Sequence, residues 1–233
     1  LEDIIRRVRD IKPQVRVQAV KKLHETPLQE WTSQQCAAVV RAGLMNERCP
    51  ETNAATKVMI CTRWMKAAKY NPIKLLTHLQ PFSYEAESEA VVQMLLEVHN
   101  DVLKDLSDAE IGAFRQGLDA IPLEISPETL LFVRFACQAS PDSLSRLIPD
   151  ISHLCDCVEQ NLYKLASMVE KSDEIDGDSD EELELLFVCN QLFKLAHLCD
   201  LQEEGSRRLF VTKCKFFLTS LETPEELLDE TLQ

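Results

Sequence analysis

The chain has 233 residues, 45% of them hydrophobic, enough to bury a substantial core in one large domain or two small ones. Only 5 are Gly, well under the roughly 7% of average proteins, and a sheet-rich fold with its turn glycines is therefore disfavoured. The formal net charge of −14 hides an asymmetry: residues 1–74 hold 14 Lys+Arg and 7 Asp+Glu (net +7), residues 75–233 hold 11 and 32 (net −21).

Apolar periodicity predicts helices over 2–10, 13–24, 33–46, 52–69, 72–79, 84–105, 108–119, 127–139, 143–170, 181–201, 205–221 and 224–232. Short linkers join them, and successive helices pair at a period of about 35 to 45 residues. That period predicts an all-α HEAT- or armadillo-type solenoid, with the whole chain as a single segment. A compact helical bundle would need a shared heptad seam, which the alternating helix lengths lack.

The first helix and its exit carry Arg6, Arg7, Arg9 and Lys12. On helix 13–24, at about 100° per residue from Arg16, Val15, Ala19, Leu23 and Val20 fall on one arc around Arg16. Arg16 is therefore expected to be structural, paired with a carboxylate such as Asp10, while Lys21 and Lys22 lie on the wet face. Thr26-Pro27-Leu28-Gln29 reads as an N-cap, a Pro at the first helical position and a capping-box partner. Thr223-Pro224-Glu225-Glu226, Ser126-Pro127, Ser140-Pro141 and Ser107-Asp108-Ala109-Glu110 repeat that punctuation.

Helix 52–69 gives a sharper signal. From Lys57 as zero, Ile60, Trp64, Ala68, Cys61 and Val58 form an apolar arc from about 300° to about 100°. Arg63, Lys66 and Lys69 fall opposite, at about 240°, 180° and 120°, with Lys74 just beyond. No Asp or Glu lies between Glu51 and Glu85 to neutralise this stripe. Positive charge along a face, without base-reading geometry, fits contact with a phosphate backbone. The candidate DNA-binding residues are Arg6, Arg7, Arg9, Lys12, Lys21, Lys22, Arg63, Lys66, Lys69 and Lys74.

Further along, Cys155-Asp156-Cys157 lacks the gap and second ligand pair of a zinc site, so no metal is expected. The nine cysteines are odd in number and most lie in apolar helical runs, which reads as reduced, buried thiols of an intracellular protein. Residues 170–184 hold nine acidic side chains of fifteen, so a flexible acidic loop is expected over 170–182. Aligning Gly177 with a calcium-loop turn puts Ser172 and Leu183 at ligand positions that need carboxylates, which excludes that reading. Ser179, followed by Asp180, Glu181 and Glu182, has the acidic downstream context of a candidate phosphorylation site.

No P-loop, GxGxxG, HExxH or nucleophile elbow is present, and the five His are scattered, so no enzyme and no cofactor are expected. No apolar run approaches the roughly 20 residues that cross a bilayer. With no signal peptide and a start at Leu1, the chain reads as a piece of a longer one.

The blocks "VRDIKPQVRVQAVKKL" and "GLMNERCPETNAATKVMICTRWMKAAKYNPIKLLTHL" resemble the HEAT-repeat G subunit of condensin. "SPETLLFVRFACQ", "LIPDISHLCDCVEQN", "DEELELLFVCNQLFKLAHLCDLQEEGSRRLF" and "TPEELLD" continue that likeness in order, over nearly the whole chain. The resemblance implies a non-catalytic subunit of the condensin complex, active in mitotic chromosome condensation. Its implied partners are the kleisin subunit, other condensin subunits and double-stranded DNA gripped without sequence preference. It implies a location in the nucleus, on chromosomes, and in the cytoplasm. The alternative is a HEAT-repeat adaptor that binds only proteins and makes no direct DNA contact.

Overall fold

The structure, a computed structural model, describes residues 1–46, 49–98, 108–119, 125–140, 150–172, 180–199 and 204–220. Helices form and no strand occurs among the described residues. The chain divides into two compact units, Leu1–Val102 and Leu103–Gln233. By these bounds the first holds 14 Lys+Arg and 12 Asp+Glu (net +2), the second 11 and 27 (net −16).

The first unit contains α1 (Glu2–Arg7), α2 (Pro13–Leu23), α3 (Ser33–Val39), α4 (Pro50–Met59), α5 (Met65–Ala67), α6 (Pro72–Leu79) and α7 (Glu85–Val98). A π-helical turn at Val40–Leu44 prolongs α3, and another at Ile60–Trp64 joins α4 to α5 in one continuous rod. Its hairpins stack like on like. α1 packs on α3 and α3 on α6, while α2 packs on α4. α4 and its π turn reach α7 through Cys61 Sγ, 3.5 Å from Met94 Sδ, and a Lys57–Glu97 pair at 4.0 Å.

Local chemistry explains the starts. Thr32 accepts the N–H of Gln35 at 3.2 Å and Gln35 Oε1 accepts the N–H of Thr32 at 3.0 Å, a complete capping box for α3. This corrects the expectation at Thr26: Pro27 opens only a short 3₁₀ turn, Leu28–Glu30, with no side-chain cap. Asn71 caps α6 through the N–H of Lys74, and Pro72 occupies its first turn.

Gly43, in the π turn after α3, lies against Thr56 of α4. A Cβ there would stand 2.2 Å from Thr56 Oγ1 and 3.1 Å from its Cβ, so the hairpin closes this tightly only around glycine. Asn53 Nδ2 donates to the Leu44 carbonyl and satisfies the end of that helix. Trp31 and Trp64 meet edge to face, centroids 5.5 Å apart, in the core beneath the α2–α3 connection.

The second unit contains α8 (Asp108–Asp119), α9 (Pro127–Ala139), α10 (Ile151–Ser172), α11 (Asp180–Ala196) and α12 (Glu204–Ser220). α11 packs on both α9 and α10, and α10 packs on α12. His153 Nε2 lies 2.8 Å from the Leu118 carbonyl and ties α10 to α8. Leu130, Leu154, Leu162, Leu192 and Phe193 fill the shared core. Ser126 accepts the Thr129 N–H at 3.3 Å, the N-cap expected for α9.

Of the segment expected as an acidic loop over 170–182, residues 170–172 continue α10 and residues 180–182 open α11. Asp180, Glu181 and Glu182 sit in the first turn of α11, where the helix dipole favours negative charge. Residues 173–179, including Ser179, and the helix expected over 224–232 lie outside the described residues.

Candidate phosphate-contacting surface

The ten candidate cations do not form one patch; eight divide between the two ends of α2, and Lys69 and Lys74 line a separate cleft. At its N-terminal end, Asp10 organises the turn: one carboxylate oxygen accepts the Lys12 N–H at 3.0 Å and the other accepts Arg7 Nη1 at 3.2 Å. The hydrogen bond from the Lys12 backbone, and then Arg7, hold the Asp10 carboxyl below its ordinary value against the opposing effect of desolvation. Arg16 is half-buried as expected, but its Nη1 donates to the Asp10 main-chain carbonyl at 3.0 Å and not to the carboxylate. Arg16 thus caps the turn through the backbone. Arg6, Arg9 and the Lys12 side chain stay exposed there.

The second group surrounds the α2–α3 connection. α2 is 11 residues long, so this end lies roughly 16 Å from the first group. Lys22 pairs with Glu25, whose carbonyl accepts Arg63 Nη2 at 3.4 Å. His24 Nε2 and Thr62 Oγ1 stand 3.4 Å apart, so the C-terminal end of α2 meets the second half of the α4–α5 rod. Lys21 and Lys66 are exposed beside these contacts and make no ion pair among the described residues.

The buried face of helix 52–69 shifts across the π turn, and the expected stripe is cut short where the rod ends before Lys69. Each 100° wheel step assumes uniform winding, and a π turn inserts a residue. Before it, Thr52, Thr56, Met59 and Ile60 are buried, from about 200° to about 300° on the same wheel. After it, Trp64, Met65 and Ala68 are buried, from about 340° to about 80°. Val58, placed on the apolar arc by uniform winding, is 53% exposed, and Arg63 is half-buried. The rod ends at Ala67, so Lys69 is no longer helical.

Lys69 and Tyr70 both adopt left-handed backbone, φ 57° and 58°. Each costs on the order of 1–2 kcal/mol for a residue with a Cβ. Three hydrogen bonds hold them: Lys69 N–H to Lys66 O at 3.0 Å, Tyr70 N–H to Met65 O at 2.7 Å and Asn71 N–H to Ala68 O at 3.1 Å. This turn brings Lys69 beside Lys74 of α6. With His78, Leu28, Gln29, Ala67 and Ala68 they line a cleft of about 150 Å³. His78 Nε2 is buried and has no hydrogen-bond partner, while Ser33 Oγ donates to its carbonyl at 2.9 Å. Sequence periodicity could not find this cleft, since Lys and Tyr give no signal for left-handed backbone as Gly does.

A larger apolar groove, about 490 Å³, opens between α1 and α2 and is lined by Ile4, Val15 and Ala19 with Arg7 and Gln18 at its edges. All nine cysteines are free, and seven are buried. Burial pushes the Cys36, Cys137 and Cys189 thiols up to about 12, so they are poor nucleophiles. Among the described residues no group of three or more His, Cys, Asp or Glu could hold a metal ion, and no helix is long and apolar enough to cross a membrane.

No protein-family model matches the chain, and no curated protein matches it. Among solved structures, a chain of the S. pombe condensin Cnd3-Cnd2 subcomplex aligns with 100% of this chain at a TM-score of 0.77 and 20% identity. The likeness covers 29% of that chain, so the present sequence spans less than a third of it. The shared architecture places the protein in the all-α HEAT-repeat class.

Proposed function

We propose that the protein is a non-catalytic HEAT-repeat segment of a condensin G-type subunit that binds double-stranded DNA through its phosphate backbone and a kleisin subunit through its solenoid surface. What carries this reading is the fold shared over the whole chain with a component of a condensin subcomplex, bearing exposed unpaired cations in its first unit. Arg6, Arg9, Lys12, Lys21 and Lys66 are the cations best placed for a duplex. They are exposed, lie at turns or helix ends, and their side chains form no ion pair among the described residues. Lys22 and Arg63 adjoin them but are engaged at Glu25. Such contacts fix no base sequence and weaken steeply with salt.

The test is duplex affinity across a salt series for the parent chain and for Arg9→Gln/Lys21→Gln/Lys66→Gln. Three lost phosphate contacts flatten the log–log salt slope by up to about three. An unchanged slope favours a protein-binding adaptor that makes no DNA contact.

A further inference from the structure

We propose that the cleft lined by Lys69, Lys74 and His78 is a binding site for a phosphomonoester carried on a peptide side chain. Its geometry differs from that of the duplex surface. Lys69 and Lys74, separated by four residues, converge on one small concavity because two left-handed residues turn the chain between α5 and α6. Duplex DNA presents successive singly charged diesters along an open ridge and needs cations spread along a face. A phosphomonoester carries about −1.5 to −2 charges and three acceptor oxygens at one point. Two lysines supply two positive charges and six N–H donors, which complements a dianion better than a lone carboxylate.

The third group is His78. Its ring helps line the cleft, while its Nε2 is buried and without a partner. Ser33 fixes the main chain of His78 from α3, and the Asn71 cap fixes the main chain of Lys74, so both side chains leave from held backbone. No Asp or Glu lies between Glu51 and Glu85 to compete for the two lysines from within their own segment.

The cleft, about 150 Å³, has room for a phosphoryl group and its linking methylene. Leu28, Ala67 and Ala68 give the cleft apolar walls, and Tyr70, 67% exposed next to Lys69, offers a ring to residues flanking the phosphorylated one.

The experiment is a titration of the full chain with O-phosphoserine and with a short phosphoserine peptide, followed by the imidazole resonances of His78. Dimethyl phosphate, acetate and sulfate are the comparison ligands. Phosphoserine is expected to shift His78 and to bind at least about tenfold more tightly than dimethyl phosphate or acetate, and the peptide more tightly still. Lys69→Asn, which keeps a residue tolerant of left-handed backbone, and Lys74→Gln should each weaken it by about tenfold. Both positions are exposed, and an unchanged thermal melt shows that the variants fold. The Arg9→Gln/Lys21→Gln/Lys66→Gln variant should retain phosphoserine binding, which separates this site from the duplex surface. The proposal is overturned if His78 does not respond, if sulfate binds as well as phosphoserine (an adventitious anion site), or if dimethyl phosphate does (a continuation of the duplex surface).

Discussion

The two units use their cations differently. In the second, Lys213 of α12 reaches both Asp156 and Glu159 of α10, at 3.6 and 2.6 Å, and Lys164 of α10 meets Glu181 of α11 at 3.3 Å. Arg115 and Arg208 pair with acids one turn away on their own helices. Positive charge there is part of the scaffold of a net −16 unit. The first unit is held by other means: the Gly43–Thr56 approach, the Trp31–Trp64 contact and bonds from side chains to backbone at Arg16, Asn53 and Ser33. Two long-range pairs, Arg41 with the buried Glu87 and Lys57 with Glu97, join the α3 and α4 rods to α7. Much of its positive charge is thereby left on the surface. A cation's meaning thus depends on what else already holds its helix.

The largest blow to this contrast falls on the packing of the first unit. Gly43→Ala should cost about 1–3 kcal/mol in chemical denaturation, since either the helices part or Thr56 shifts. Thr56→Ala in the same chain should recover part of the loss. A neutral Gly43→Ala would show that the close approach is not what holds the α3–α4 hairpin.

Next comes the scaffold cation of the second unit. Lys213→Met should cost about 1 kcal/mol, whereas Lys66→Met should cost less than about 0.5 kcal/mol. The hydrogen bond to Glu159, aided by Asp156, raises the Lys213 ammonium above its ordinary 10.5. Its contribution is therefore complete below that value and is lost as pH rises through the raised one. Equal losses for Lys213→Met and Lys66→Met would erase the distinction between the units.

The smallest effect is at the α1–α2 turn. Asp10 is held below its ordinary 3.8, so its contribution is present above that pH and fades as pH falls through the lowered value. Asp10→Asn should remove this acid dependence and slightly lower local stability at neutral pH, as read by faster amide exchange at Val8 and Lys12.

Much of this was legible in the sequence for physical reasons. Few glycines, regular apolar spacing and proline at helix starts give the all-α hairpins. Arg16 was recognisable as structural because it shares an arc with Ala19, Val20 and Leu23. What escaped were departures from uniform winding. The π turn at Ile60–Trp64 rotates the buried face, so a fixed 100° wheel misplaces Val58 and Arg63. The start of α3 at Ser33 was placed correctly, but the capping box of Thr32 and Gln35 was overlooked in favour of Thr26-Pro27, which opens only a 3₁₀ turn. The cleft at Lys69 depends on left-handed backbone in two residues that seldom adopt it, and on His78 from the next helix.

The central claim is that the unpaired cations of the first unit, and not those of the second, meet phosphate. Its most direct test is the salt dependence of duplex binding by two triple variants, Arg9→Gln/Lys21→Gln/Lys66→Gln and Lys164→Gln/Arg208→Gln/Lys213→Gln. The first should flatten the slope by up to about three, while the second should leave it at the parent value. Equal flattening by both, or none from the first, would contradict the account.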